Sequence, residues 1–287
     1  MVTTNVVVGG QDHIDELSLF FIGNSYFNSN NLCDLTRQAL QAIEIQTKIQ
    51  GHNPPGETFG GHLRNLQGEG AKRKEHTLYR FLWNDQQRQS WDWVLLQNQS
   101  QYPGFIQDVP QTYQESVDDL QRLTSAIRQH YTNTRFLLFM TWGRRNFDKH
   151  NPTVYPDFLT MQKKLADGYL HYVSATSTTD HPSYLAPVGL VFQTIYNDIS
   201  AQGQDPKSEG SLFHSLYARD GSHPSLAGSY VGAVTIVATL VEMDANDLQW
   251  TPPQLDPDMA RQLRAAVSKT IQETIATGTI TYPWQHS

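Results

Sequence analysis

Ser25 closes the apolar run Leu17-Ser-Leu-Phe-Phe-Ile-Gly-Asn-Ser25, and far downstream lies Asp220-Gly-Ser-His223-Pro. A serine, an imidazole and a carboxylate are the three groups that hydroxyl attack on an acyl carbon requires. A serine alcohol is a weak nucleophile at neutral pH until an imidazole takes its proton. The imidazole in turn needs an anion to hold its tautomer and to stabilise the imidazolium. Asp220 and His223 are three positions apart, so one turn delivers acid and base together. Gly221 permits a tight backbone there, and Pro224 suits the first position of a following helix.

Two further groups of residues stand at the ends of candidate strands. Gly56-Glu57-Thr58, followed by Gly60, Gly61 and Leu63, comes after the second candidate strand. Gln97-Asn98-Gln99-Ser100 comes directly after the third, Trp93-Val-Leu-Leu96. A side-chain amide at such a place offers an N–H that either Asn98 or Gln99 can present.

Taken in order, these blocks resemble the SGNH (GDSL-like) hydrolase superfamily. Its nucleophile sits in an N-terminal Gly-Asp-Ser turn and its acid and base in a C-terminal Asp-x-x-His, matched here by Gly23-Asn24-Ser25 and Asp220-Gly-Ser-His223. The resemblance implies a triad of Ser25, His223 and Asp220, with oxyanion donors in the N–H groups of Ser25 and Gly56. Backbone donors preset in this way are worth about 3 kcal/mol each. The family usually ends its third strand in Gly-x-Asn-Asp, whose Asn completes the oxyanion hole. This chain departs from that pattern and looks like a branch with a Gln-containing turn, where Gln99, or alternatively Asn98, takes the part. Asn24 replaces the family's Asp at a position that serves the turn and not the proton transfers.

The elements that must position these residues are legible as an alternation. Candidate strands are Leu17 to Ile22, Ile43 to Ile49, Trp93 to Leu96, Arg135 to Thr141 and Tyr184 to Val188. Continuous apolar runs of this kind mark strands buried on both faces of a parallel sheet. Helical spacing joins Tyr113, Val117, Leu120, Ile127 and Tyr131, and again Met259, Leu263, Val267 and Ile271. Leu226 to Met243 reads as a buried helix of the core and not a bilayer span. Strand–helix alternation predicts right-handed crossovers and a three-layer α/β/α sandwich with a flavodoxin-like, five-stranded parallel sheet. In such a sheet ligands bind beyond the carboxyl ends of the strands where strand order reverses, between the first and third strands. Ser25 and the Gln97 to Ser100 segment converge there. Trp142, Arg144 and Arg145, after the fourth strand, are expected at the rim of the same cleft, with Trp142 and Arg144 as substrate-binding residues.

Composition agrees with one soluble enzyme domain over residues 1–287, with 1–15 as a loose N-terminal extension. Hydrophobic residues make up 38% and charged residues 17%, enough for a core and unlike a disordered chain. A formal charge of −7 without a Lys/Arg cluster excludes an electrostatic nucleic-acid partner. The single cysteine, Cys33, allows no internal disulfide and reads as an inert buried thiol compatible with cytoplasm or periplasm. No secretory signal is visible at the start. His-Glu-x-x-His, nucleotide-binding glycine motifs and Gly-x-Ser-x-Gly are all missing. His52 and His62 flank the Gly56 loop and read as exposed loop histidines or pocket lining. Trp83, Trp91, Trp93 and Trp142 read as sugar-stacking platforms or, for most of them, core residues, Arg144-Arg145 as a solvated pair or an anion site, and Gln67 to Lys74 as a solvated loop or helix face.

The reading is a metal-free, cofactor-free hydrolase of carboxylic esters working through an acyl-enzyme. Removal of short acyl groups such as acetyl, carried on carbohydrate, is the favoured reaction by resemblance. A lipase or thioesterase of the same superfamily, or a catalytically weak carbohydrate-binding protein on the same fold, are the alternatives.

Overall fold

A computed structural model describes residues 14–68, 78–80 and 91–285. The positions of Trp83, of most of the N-terminal extension and of Glu69 to Lys74 lie outside the described residues. Five strands form one all-parallel sheet: β1 (Glu16–Ile22), β2 (Gln46–His52), β3 (Trp93–Leu96), β4 (Arg135–Phe139) and β5 (Ser183–Ala186), in the order β2-β1-β3-β4-β5. After its first residue β1 is wholly buried, and every residue of β3 and β5 is buried. That accounts for the unbroken apolar runs, because helices cover both faces of the sheet.

Three strand boundaries shift from the sequence reading. β2 begins at Gln46 and not at Ile43. Glu44 adopts a left-handed φ of 65°, and the Ile45 N–H bonds back to the Leu40 carbonyl at 3.1 Å. Ile43 and Ile45 therefore lie in the turn that follows a helix ending at Gln41, and the strand pairs as Glu16 with Gln46 through Ile22 with His52. β2 is an edge strand with no residue fully buried, so its polar sequence Gln-Thr-Lys-Ile-Gln-Gly-His is tolerated. β4 stops at Phe139, and β5 runs from Ser183 to Ala186 because Pro187 ends it and caps the next helix.

Around the sheet run α1 (Ser25–Asn28), α2 (Leu32–Gln41), α3 (Phe59–Gln67), α4 (Pro110–His130), α5 (Phe158–Thr176), α6 (Val188–Ala201), α7 (Leu212–Ser215), α8 (Leu226–Leu240) and α9 (Pro257–Ala276). α2 packs on α8 and α8 on α9, while α3 packs on α4 and α4 on α5. In α8 every residue from Ala227 to Leu240 is buried, the arrangement of a helix apolar all round. Among the described residues no helix is long and apolar enough to cross a membrane. Pro224 lies outside α8, whose N-cap is Ser225 with its hydroxyl accepting the Gly228 N–H at 3.2 Å. Cys33 is half-buried, and burial pushes its thiol up to about 12, so a thiolate is not populated near neutrality.

Candidate active site

Ser25 follows β1 across Gly23 and Asn24 and is the first residue of the single-turn helix α1. Asn24 caps that turn, its Oδ1 accepting the Tyr26 N–H at 3.3 Å. Its amide nitrogen reaches the carbonyls of Glu57 and Asn98, at 3.1 and 3.2 Å. The Asn24 side chain thus ties the turn that carries Ser25 to the Gly56 loop and the post-β3 loop, using donors that a carboxylate lacks.

The acid–base turn is closed by its own backbone: Ala218 N–H donates to His223 O at 2.9 Å and Gly221 N–H to Ala218 O at 3.0 Å. Gly221 sits at φ +66°, the left-handed region that glycine enters without strain. Asp220 Oδ1 accepts the backbone N–H groups of Ser222 and His223, at 2.9 and 3.0 Å. That leaves Oδ2 to accept from His223 Nδ1 at 2.6 Å. With Nδ1 protonated toward this carboxylate, Nε2 is the acceptor for the Ser25 hydroxyl at 2.9 Å. The geometry is that of a serine–imidazole–carboxylate relay.

Partial burial would raise the pKa of Asp220, but the bonds from the His223 ring and the two backbone N–H groups outweigh it and hold the carboxyl below its ordinary range. The side chains of His223 and Asp220 remain 39% and 50% exposed. The relay lies at the surface.

The two candidate oxyanion amides separate. Asn98 is wholly buried, its Nδ2 donating to Ser116 Oγ at 2.6 Å and to Tyr172 OH at 3.1 Å. Its Oδ1 accepts the N–H groups of Phe59 and Gln99. Both amide hydrogens are engaged in the scaffold, so Asn98 cannot serve an oxyanion without giving up a partner. Gln99 is half-buried and folds onto Gln101, its Oε1 accepting the Gln101 N–H at 2.7 Å and its Nε2 donating to Gln101 Oε1. Gly56 is exposed with φ +69°, so its amide plane takes a direction that only glycine adopts without strain.

Other expectations require correction. Trp142 is not at the rim: it is 1% exposed, stacked on Tyr26 at 4.9 Å on one side and on Phe192 at 4.5 Å on the other. Its indole N–H donates to Ser222 O at 3.1 Å, making it the wall behind the acid–base turn. Arg144 is turned inward as well, with a side chain 14% exposed and paired to Asp148 at 3.1 Å. Arg145 is half-buried, and its backbone N–H donates to Gly221 O at 2.9 Å. His62 is neither exposed nor pocket lining. It is fully buried, its Nε2–H donating to the Gly23 carbonyl at 2.9 Å, and burial together with the neighbouring His52 lowers its pKa to about 3.

The sequence reading named Gln97 without a role and missed Tyr26. Gln97 is fully buried, its Oε1 accepting the Asn24 N–H at 3.0 Å. Its Nε2 donates to the Asn98 carbonyl. The signal for it was an amide at the end of a strand adjacent to the one that carries the serine. Tyr26, beside the nucleophile, lies edge-on to the His223 ring at 5.4 Å. A tyrosine next to a serine carries no signal of its own.

No family model matches the chain, and no curated protein matches it by sequence. Solved structures do. A DUF4886 family protein from Bacteroides uniformis superposes with a TM-score of 0.69 at 18% identity, covering 94% of this chain and 99% of that one. The lipase Lip_vut3 from a goat rumen metagenome gives a TM-score of 0.51 at 10% identity over 77% of this chain and 96% of that one. BT4096, a gut microbial diltiazem-metabolizing enzyme, gives 0.50 at 14% identity over 79% of this chain and 47% of that one. The α/β/α sandwich with its five parallel strands is the fold that the chain shares with these structures.

Proposed function

We propose that this protein hydrolyses carboxylic esters through an acyl-serine. The observation that carries the reading is the continuous relay from the Ser25 hydroxyl to His223 at 2.9 Å and on to Asp220 at 2.6 Å. In the first half-reaction Ser25 Oγ bonds to the acyl carbon while its proton passes to His223 Nε2. The tetrahedral oxyanion takes donors from the N–H groups of Ser25 and Gly56, with the Gln99 amide as the third. Collapse breaks the acyl–oxygen bond, and His223 returns the proton to the departing alcohol. A water then repeats the sequence on the acyl-enzyme, releasing the acid and restoring Ser25. None of these steps requires a metal or organic cofactor.

For substrate we favour short acyl groups, acetyl above all, carried on a carbohydrate. Support comes from the half-exposed relay, which a bulky polar alcohol can approach from solvent, and from the polar amides Asn24 and Gln97 that hold the nucleophile turn. A panel of p-nitrophenyl esters from acetyl to palmitoyl, run beside acetylated xylan, tests this. The parent should turn over acetyl ester and release acetate from xylan, and Ser25→Ala should do neither. Turnover rising toward palmitoyl would replace the acetyl reading with a lipase or thioesterase. No turnover of any ester would leave a binding protein on a hydrolase fold.

A further inference from the structure

The guanidinium of Arg144 reaches three loops of the site at once. Nη1 donates to Tyr26 OH, Nη2 to Ser100 Oγ at 3.0 Å, and Nε to Asp148 Oδ2 at 3.1 Å. Tyr26 follows the nucleophile, and Ser100 follows the candidate oxyanion amide Gln99. The Tyr26 hydroxyl also lies 3.0 Å from Ser222 Oγ, one residue from the base. A single planar side chain therefore connects the nucleophile turn, the post-β3 turn and, through Tyr26, the acid–base turn.

We propose that Arg144 is a positioning residue that holds these three turns in register, with Tyr26 as its arm against His223. The inference rests on the esterase reading and assigns Arg144 to the enzyme's own framework instead of to a substrate anion. Its charge is already answered inside the protein. Asp148 has a side chain only 1% exposed. It accepts the Arg144 Nε–H, the Gln101 amide at 2.9 Å, and the backbone N–H groups of His150 and Asn151 at 2.9 Å each. Burial would raise the pKa of Asp148, and the Asn151 N–H, the Arg144 charge and the remaining donors reverse that, keeping it anionic. A carboxylate held by five donors, the Asn151 amide at 3.4 Å among them, is a fixed point from which a rigid fork can set angles.

The surface position of the relay explains why such a brace matters. A hydrogen-bonded pair at 39% and 50% exposure is screened by water and orients an imidazole weakly. The His223 ring gains lateral support from Tyr26, whose own ring is pressed flat on buried Trp142 and whose hydroxyl is fixed by Arg144. Arginine suits the task because its donors diverge at set angles in one plane, whereas lysine offers a point charge on a flexible stem.

The test compares Arg144→Met, Arg144→Lys, Tyr26→Phe and the Tyr26→Phe/Arg144→Met double variant with the parent, on p-nitrophenyl acetate and on a p-nitrophenyl monosuccinate that carries an anion. Expected for Arg144→Met is a kcat loss of roughly 100-fold on both esters, the scale of a misplaced catalytic group, with KM within about twofold. Lysine should not restore the rate, and the double variant should be no worse than the more damaged single variant. Fluorophosphonate labelling of Ser25, which needs no ester, should slow in parallel. Tyr26→Phe removes one hydroxyl and keeps the readout available should Arg144→Met not fold. A rise in KM confined to the monosuccinate would overturn the proposal in favour of anion binding. A lowered Tm with kcat and labelling intact would reduce Arg144 to a structural part and overturn it equally. A parent that neither turns over nor labels refutes the esterase reading itself. A parent that labels, with variants labelling as fast, refutes the positioning role alone.

Discussion

The His223 imidazole meets the Tyr26 ring edge-on, with 5.4 Å between centroids and 69° between planes. Tyr26 adjoins Ser25 in sequence, so the wall beside the base is built by the nucleophile's own turn. Edge-to-face packing of this kind contributes about 0.5–1.5 kcal/mol beyond area burial. Base and nucleophile are registered to each other by packing as well as by the 2.9 Å hydrogen bond between them.

Ser25 is the one serine held by the relay, and a fluorophosphonate should modify it stoichiometrically. Peptide mapping checks the assignment. Label on Ser100, Ser222 or Ser29, or on no serine, would contradict it.

His223→Ala should abolish turnover nearly as fully as Ser25→Ala, by roughly 10⁴-fold or more, since members of a triad act as a unit. Asp220→Asn should be milder, because half of the Asp220 side chain faces water and Tyr26 still braces the ring. The relay needs an unprotonated Nε2 to accept the Ser25 proton, so turnover should be lost in acid. Asp220 adds no step above the ordinary carboxylate range, because its pKa lies below that range in the folded state. A pH–rate profile of the parent and a turnover assay of both variants decide this; a flat profile or an active His223→Ala enzyme would refute it.

Gln99→Ala and Asn98→Ala should fail differently. Loss of an oxyanion donor lowers turnover about 100- to 1,000-fold at near-constant KM, and Gln99→Ala should show that pattern. Asn98→Ala strips partners from buried Ser116 and Tyr172 and should instead cost stability, about 1–3 kcal/mol for each group left unpaired. Steady-state kinetics beside urea unfolding distinguishes them. Wild-type turnover in Gln99→Ala would place the third donor elsewhere.

Buried His62 should make the protein sensitive to acid. Its folded-state pKa, near 3, is far below the ordinary value of 6.5. Above pH 6.5 neither state binds its proton; below that, the unfolded state does and the folded state does not, so stability falls as pH drops toward 3. The whole window is worth about 5 kcal/mol at 1.36 kcal/mol per pKa unit. Urea unfolding followed from pH 7 to pH 4 should show one proton's slope more in the parent than in His62→Gln. Equal slopes would show that His62 titrates normally.

The sheet order, the central strands and the relay were legible because each rests on local chemistry. β1 and β3 are apolar runs ending at Ser25 and at an amide cluster, and Asp220 and His223 share one turn. What was not legible depends on direction. Trp142 follows a strand that points to the cleft, yet the chain turns its indole between Tyr26 and Phe192. Arg144 and Arg145 are neighbours in sequence, but one is committed to Asp148 and the other clasps the acid–base turn with its backbone. In the run Gln97 to Gln99, three amides take three surroundings: Gln97 clamps the turn before Ser25, Asn98 joins the buried scaffold, and half-buried Gln99 folds onto Gln101. At β2, Ile43 and Ile45, which suggested the start of a strand, belong to the turn after α2, because a left-handed Glu44 delays the ladder to Gln46.

The hydrogen bond from Ser25 to His223 closes a loop of 198 residues. Closing so long a chain segment carries an entropic cost that only the assembled sheet and α8 offset. Competence for chemistry is therefore a property acquired at the end of folding. A polypeptide still emerging from the ribosome holds Ser25 long before His223, so the proposed esterase chemistry is closed to it until the chain is complete. On refolding, helical signal should return with local contacts while turnover appears with the slowest phase.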